Sequence, residues 1–139
     1  MDCYGCDRQR ISDINFIYRF LDDLPTRIGM TKITQPYVFE YRGKVPEDWG
    51  LSGIVLIAES HISMHTFVEK GYVGVDIFSC KDFDTVPVEK MIAELLGAKS
   101  YDRDLLFRGR HFPRNEKVLE GIVQRQRSKS AKTKVPPSA

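Results

Sequence analysis

Apolar residues recur at helical spacing early in the chain. Ile14, Ile17, Leu21 and Leu24 define one face of a helix running to about residue 28, with Ser12 or Asp13 as its cap. Pro25 does not suit a helix interior, so the last turn is expected to end or bend there, and Gly29 to stop it. The period then shortens to two. Residues 37–41, rich in aromatic and β-branched side chains, predict a strand. Residues 42–50 carry Gly and Pro and predict a loop. Residues 53–58 are continuously apolar and predict a buried strand, and 62–67 continue extended. Along 71–80, Val73, Val75 and Ile77 share one face, while Tyr72, Asp76, Phe78 and Cys80 share the other. Asp84 or Thr85 then caps a second helix with Pro87 in its first turn, an apolar stripe of Val88, Met91, Ile92, Leu95 and Leu96, and a stop at Gly97. A last strand is expected over 101–108. Strands outnumber helices and arrive in runs, which predicts an α+β two-layer sandwich, an antiparallel sheet covered on one face by two helices.

Composition narrows the setting. A chain of 139 residues with 42% hydrophobic residues fits a single globular domain, expected over 1–123. Residues 124–139 hold five basic side chains, no acid and almost nothing apolar, and predict a disordered basic tail. Taking those five charges from the net +2 leaves the body at about −3. No basic face for nucleic acid is visible, so the tail reads as solvated. No stretch approaches the ~20 apolar residues of a membrane span. Three cysteines without a secretory signal read as free thiols of a cytoplasmic protein.

The candidate chemistry lies where the apolar strand ends. Glu59, Ser60 and His61 follow it directly, with His65 four residues on. A hydroxyl, a carboxylate and two imidazoles are costly to crowd together at a core's edge unless each is partnered. Taken singly, each has a bland reading: Ser60 as a turn serine, Cys80 as a small buried hydrophobe, His61 as structural.

Together they say more. The block from Ala58 through Glu59, Ser60, His61, His65 and Thr66, and the strand ending at Cys80, resemble the small prokaryotic S-adenosylmethionine decarboxylases. The resemblance extends to Asp2 through Cys6 and to Ser52-Gly53, and covers most of residues 1–110. It implies a proenzyme in which the Ser60 hydroxyl attacks the Glu59 carbonyl. Cleavage between Glu59 and Ser60 then gives chains 1–59 and 60–139, with a pyruvoyl group made from Ser60. Side chains offer nucleophiles and acids but no electrophilic carbonyl; a pyruvoyl group supplies one for a Schiff base with the substrate amine. The resemblance assigns Ser52 and His65 to self-processing, Cys80 to reprotonation of the substrate carbon, Glu69 to ribose hydroxyls and Phe67 to an aromatic platform. It further implies a homodimer, a role in polyamine synthesis, and no need for PLP or a metal.

The chain also departs from the family. It starts at Met1-Asp2, where relatives usually have several residues completing a first strand, so either a shortened edge or a true start upstream is expected. Phe67, Val68 and Lys81 stand where Trp, Pro and Gly are usual, and the loop before Trp49 is longer and more charged. Altered substrate-facing residues keep an L-arginine or L-ornithine decarboxylase open as the alternative, with Glu47, Asp48 or Glu69 facing the distal cation. A non-enzymatic zinc module is a more distant alternative. Cys3 and Cys6 have ligand spacing and His61 and His65 lie four apart, but 54 residues lie between Cys6 and His61.

Overall fold

The computed structural model describes residues 1–108. Met1–Asp104 form one compact unit. The expected boundary after residue 123 and the tail at 124–139 lie outside the described residues. The elements are β1 (Asp2–Tyr4), α1 (Arg8–Ser12), α2 (Ile14–Arg27), β2 (Tyr37–Arg42), β3 (Trp49–Ile57), β4 (Ser60–Phe67), β5 (Tyr72–Phe78), α3 (Thr85–Leu96) and β6 (Ser100–Asp102). They build one antiparallel sheet of order β2-β3-β4-β5-β1-β6.

Alternation along the strands divides the sheet into two faces. Leu51, Val55 and Ile57 of β3, Ile62 and Met64 of β4, and Val73 and Val75 of β5 join a single core with Ile17, Leu21 and Leu24 of α2 and Val88, Ile92 and Leu96 of α3. Among the described residues, no helix covers the opposite face. It displays Tyr37, Phe39 and Tyr41 at 61–62% exposure, with Ile54 and Leu56 beside them. The apolar run in β3 is therefore buried on one side only. Its outward side chains are hydrophobic, which hid the period of two.

Local chemistry explains the element ends. The Asp13 side chain accepts from Asn15 N–H and starts α2, while Asp7 caps α1, a short helix the periodicity did not predict. Ile14 turns outward, and Phe20 takes its place on the buried face. The helix passes through Pro25 to Arg27; the ring forgoes one ladder bond near the end and is itself buried, and its carbonyl accepts from Met30 N–H at 2.8 Å. Asp84 caps α3, and Gly97 closes it in the left-handed conformation, φ 62°.

The last strand spans only Ser100–Asp102, not 101–108. It pairs with β1, which lies between β5 and β6 and is no edge. The expected loop at 42–50 contains a single 3-10 turn, Pro46–Asp48, and gives way to β3 at Trp49. There Gly50 meets β4 so closely that a Cβ would stand 1.7 Å from the Thr66 carbonyl oxygen. Only glycine fits, and the approach lets Thr66 Oγ1 accept from Leu51 N–H at 2.8 Å.

Candidate active site

The β3–β4 hairpin closes on two residues, Ala58 and Glu59, with Ile57 facing Ser60. Glu59 has φ 64°, the only non-glycine with positive φ among the described residues. That conformation costs an L-residue about 1–2 kcal/mol. Neighbouring chain holds it in place. Ala58 N–H donates to Thr31 O at 2.8 Å, and Leu56 N–H donates to Thr34 Oγ1 at 3.1 Å.

On its other side the turn meets the chain just after β5. Ser60 Oγ donates to the Glu59 carbonyl oxygen at 2.6 Å. Cys80 contacts both partners: its N–H donates to Ser60 Oγ at 3.0 Å, and its thiol donates to the Glu59 carbonyl oxygen at 3.2 Å. A hydroxyl is thus set against the carbonyl that precedes it, and that carbonyl's oxygen faces a proton donor. His61 packs against Phe78 with the rings tilted at 45° and their centroids 5.5 Å apart.

A second cluster occupies the far end of the hairpin. Ser52 and His65 are cross-strand partners, with Oγ 2.8 Å from Nδ1. They belong to a row across the open face that runs Phe39, Ser52, His65, Gly74, Asp2, Asp102. Five register steps separate this pair from Ile57 and Ser60, about 17 Å at strand rise. One chain therefore does not bring Ser52 and His65 to Ser60.

Beside them is a cavity of about 240 Å³, lined among others by Asp2, His65, Phe67, Tyr72 and Asp76. Phe67 packs on Tyr72, centroids 5.7 Å apart, with the Lys70 ammonium 5.3 Å from its own ring. Tyr72 donates to Asp2 at 2.5 Å, and this bond to a carboxylate, with partial burial, pushes the phenol up to about 12. Glu69 accepts from Trp49 Nε1 at 3.2 Å and pairs with Arg8. Asp48 pairs with Lys70 at 3.1 Å. Trp49, Arg8 and Tyr72 were not singled out from the sequence. The one signal was that Trp49 is the chain's single tryptophan.

Cys3 and Cys6 lie in the core, where burial pushes their thiols up to about 12 and about 11. Among the described residues, no three or more His, Cys, Asp or Glu side chains converge to hold a metal ion, so Cys3, Cys6, His61 and His65 do not form the zinc site considered above.

Sheet, helices and hairpin tip together define a two-layer α+β sandwich of the decarboxylase type. The sequence profile of S-adenosylmethionine decarboxylase matches residues 1–109. The S-adenosylmethionine decarboxylase proenzyme of Geobacillus kaustophilus is 34% identical over 108 residues, covering 78% of this chain and 82% of its own length. The proenzyme of Prochlorococcus marinus is 33% identical over 103 residues, 73% and 77% of the two chains. The crystal structure of the adenosylmethionine decarboxylase from Aquifex aeolicus superimposes with a TM-score of 0.57 at 27% identity, covering 77% of this chain and 88% of that one. The chain belongs to the S-adenosylmethionine decarboxylase family.

Proposed function

We propose that this chain is a self-processing, pyruvoyl-dependent decarboxylase of S-adenosylmethionine that serves polyamine synthesis in the cytoplasm. The observation that carries the reading is Ser60 Oγ held at the strained Glu59 carbonyl, with Cys80 on both groups.

The self-processing chemistry follows from those contacts. Ser60 Oγ bonds to the Glu59 carbonyl carbon and loses its proton. The carbonyl oxygen gains negative charge facing the Cys80 thiol. The Glu59–Ser60 amide C–N bond breaks, its nitrogen takes up the proton, and an ester remains. Removal of the Ser60 α-proton expels Glu59 as a carboxylate. Water then replaces the nitrogen, which leaves as ammonia, and a keto-acyl group heads chain 60–139. The residues present fit this group, since the hydroxyl that makes it already touches the peptide it must cleave. Once formed, the group supplies an electrophilic carbonyl for the substrate amine and a sink for the electrons of the breaking carboxylate bond. Cys80, beside that terminus, carries the proton for the product carbon.

The α-proton needs a base, and within one subunit His65 lies too far away. A homodimer in which two open faces stack answers this. The hairpin tip of one copy meets the Ser52–His65 pair of the other, Ser52 orients the imidazole, and the exposed Tyr37, Phe39, Tyr41, Ile54 and Leu56 become interface. Phe67 and Glu69, at the same end as His65, then bind the adenosine part of the substrate.

The arginine or ornithine alternative loses support from the charges. Two of its three acids are already matched, Glu69 by Arg8 and Asp48 by Lys70. Carboxyl-labelled S-adenosylmethionine, arginine and ornithine, assayed side by side, test the substrate. Labelled carbon dioxide is expected from the first alone; release from either amino acid instead overturns the assignment.

A further inference from the structure

Glu69 follows β4, at the end of the hairpin remote from Ser60, and three contacts fix it. Trp49 Nε1 donates to Oε1 at 3.2 Å. Arg8 donates to the Glu69 main-chain carbonyl at 2.6 Å and sets its guanidinium 3.9 Å from Oε2. Trp49 is itself anchored. Its carbonyl accepts from Val68 N–H at 3.3 Å, and the Arg42 guanidinium lies 5.2 Å from its ring centroid.

We propose that Trp49 and Arg8 are positioning residues that aim the Glu69 carboxylate at the hydroxyls of a nucleoside and set the selectivity of the site for an uncharged diol over a cationic group. The inference rests on the decarboxylase reading above and adds what makes its substrate end selective. A carboxylate offers about four acceptor positions. Trp49 takes one on Oε1 and fixes the plane, leaving positions for two adjacent hydroxyl donors. Arg8 already matches the negative charge, so an ammonium or guanidinium arriving at Glu69 meets a like charge while a neutral diol does not. The Arg8 and Glu69 side chains are both exposed, so the effect is one of orientation and exclusion rather than fold stability.

Two variants test this. Trp49→Phe keeps an aromatic ring near Arg42 and removes the indole N–H together with part of the ring system. Arg8→Gln changes an exposed side chain with little risk to folding. Both are expected to cleave themselves as wild type does, because neither Trp49 nor Arg8 is hydrogen-bonded to Ser60, Cys80, Ser52 or His65, the groups given to cleavage. Trp49→Phe should raise KM for S-adenosylmethionine about tenfold with kcat within about twofold, the size of one hydrogen bond to a charged group. It should also lose most of the wild-type preference for S-adenosylmethionine over an analogue lacking the ribose 2′ and 3′ hydroxyls. Arg8→Gln should become sensitive to competitive inhibition by L-arginine. Normal wild-type turnover with an unmoved KM and unmoved analogue preference in Trp49→Phe overturns the inference alone, as does loss of self-cleavage and turnover in step. Wild-type protein that cleaves itself but releases no carbon dioxide from S-adenosylmethionine overturns the substrate reading and this inference with it.

Discussion

Removing one sulfur from the hairpin tip should slow the birth of the cofactor. Cys80 gives two hydrogen bonds there, main-chain N–H to Ser60 Oγ and thiol to the Glu59 carbonyl oxygen. Cys80→Ala keeps the first and deletes the second, so it isolates one donor facing the oxygen on which charge develops. A hydrogen bond to a charged group is worth about 1.5–3 kcal/mol, a factor of about 10 to 160 in rate. The thiol is a weak donor and Cys80 is exposed, so the lower end applies and a loss of about tenfold is expected. Unprocessed protein, made quickly and followed on a denaturing gel, should convert to two chains that much more slowly. Cys80→Ser, which restores a donor, should recover part of the rate. Material that has cleaved should still decarboxylate poorly in the Ala variant, because the product carbon then lacks its proton donor. Wild-type cleavage kinetics in Cys80→Ala would refute the assignment of the thiol to the carbonyl oxygen.

The proposed composite site makes a sharper demand. Ser60→Ala and His65→Ala should each remain uncut alone, yet co-expressed they should yield cleaved His65→Ala chains, since a hybrid dimer joins an intact Ser60 to an intact His65; absence of any cleaved chain contradicts the shared site. Leu56→Asp, on the open face opposite His61, should shift the protein toward monomer in sedimentation and slow processing with it, and an unchanged dimer would move the interface elsewhere. In the proenzyme, a thiol reagent should titrate one cysteine natively and three in denaturant, because Cys3 and Cys6 are buried and Cys80 is exposed. The same raised thiols make the unfolded chain release protons first, so stability should fall as pH climbs from about 9 toward 12; flat stability over that range contradicts their burial.

Much of the architecture was legible because local signals agreed with the global pattern. The second long helix is one case, where Asp84, Pro87 and Gly97 mark its ends and Val88, Ile92 and Leu96 face inward. The family motif likewise named Ser60 and Cys80, and in the structure the Cys80 N–H donates to Ser60 Oγ while its thiol donates to the Glu59 carbonyl oxygen. What escaped depends on register or on strain. Glu59 carries no turn signature, so its left-handed backbone is imposed by the strands on either side. The contact of Trp49 with Glu69 spans 20 residues and exists only because Gly50 brings β3 against β4. The separation of His65 from Ser60 was implicit in five residues of extended chain, but it has consequence only once the hairpin is seen to be paired throughout. Short elements such as α1 and β6 bury too little to leave a periodic trace.

The central claim is that the backbone breaks at Glu59–Ser60 to make its own ketone. Mass spectrometry of freshly purified, active protein tests it most directly. The account predicts two chains, 1–59 and 60–139, the second headed by a pyruvoyl group in place of Ser60. An active preparation consisting of one unbroken polypeptide with its serine intact would contradict it.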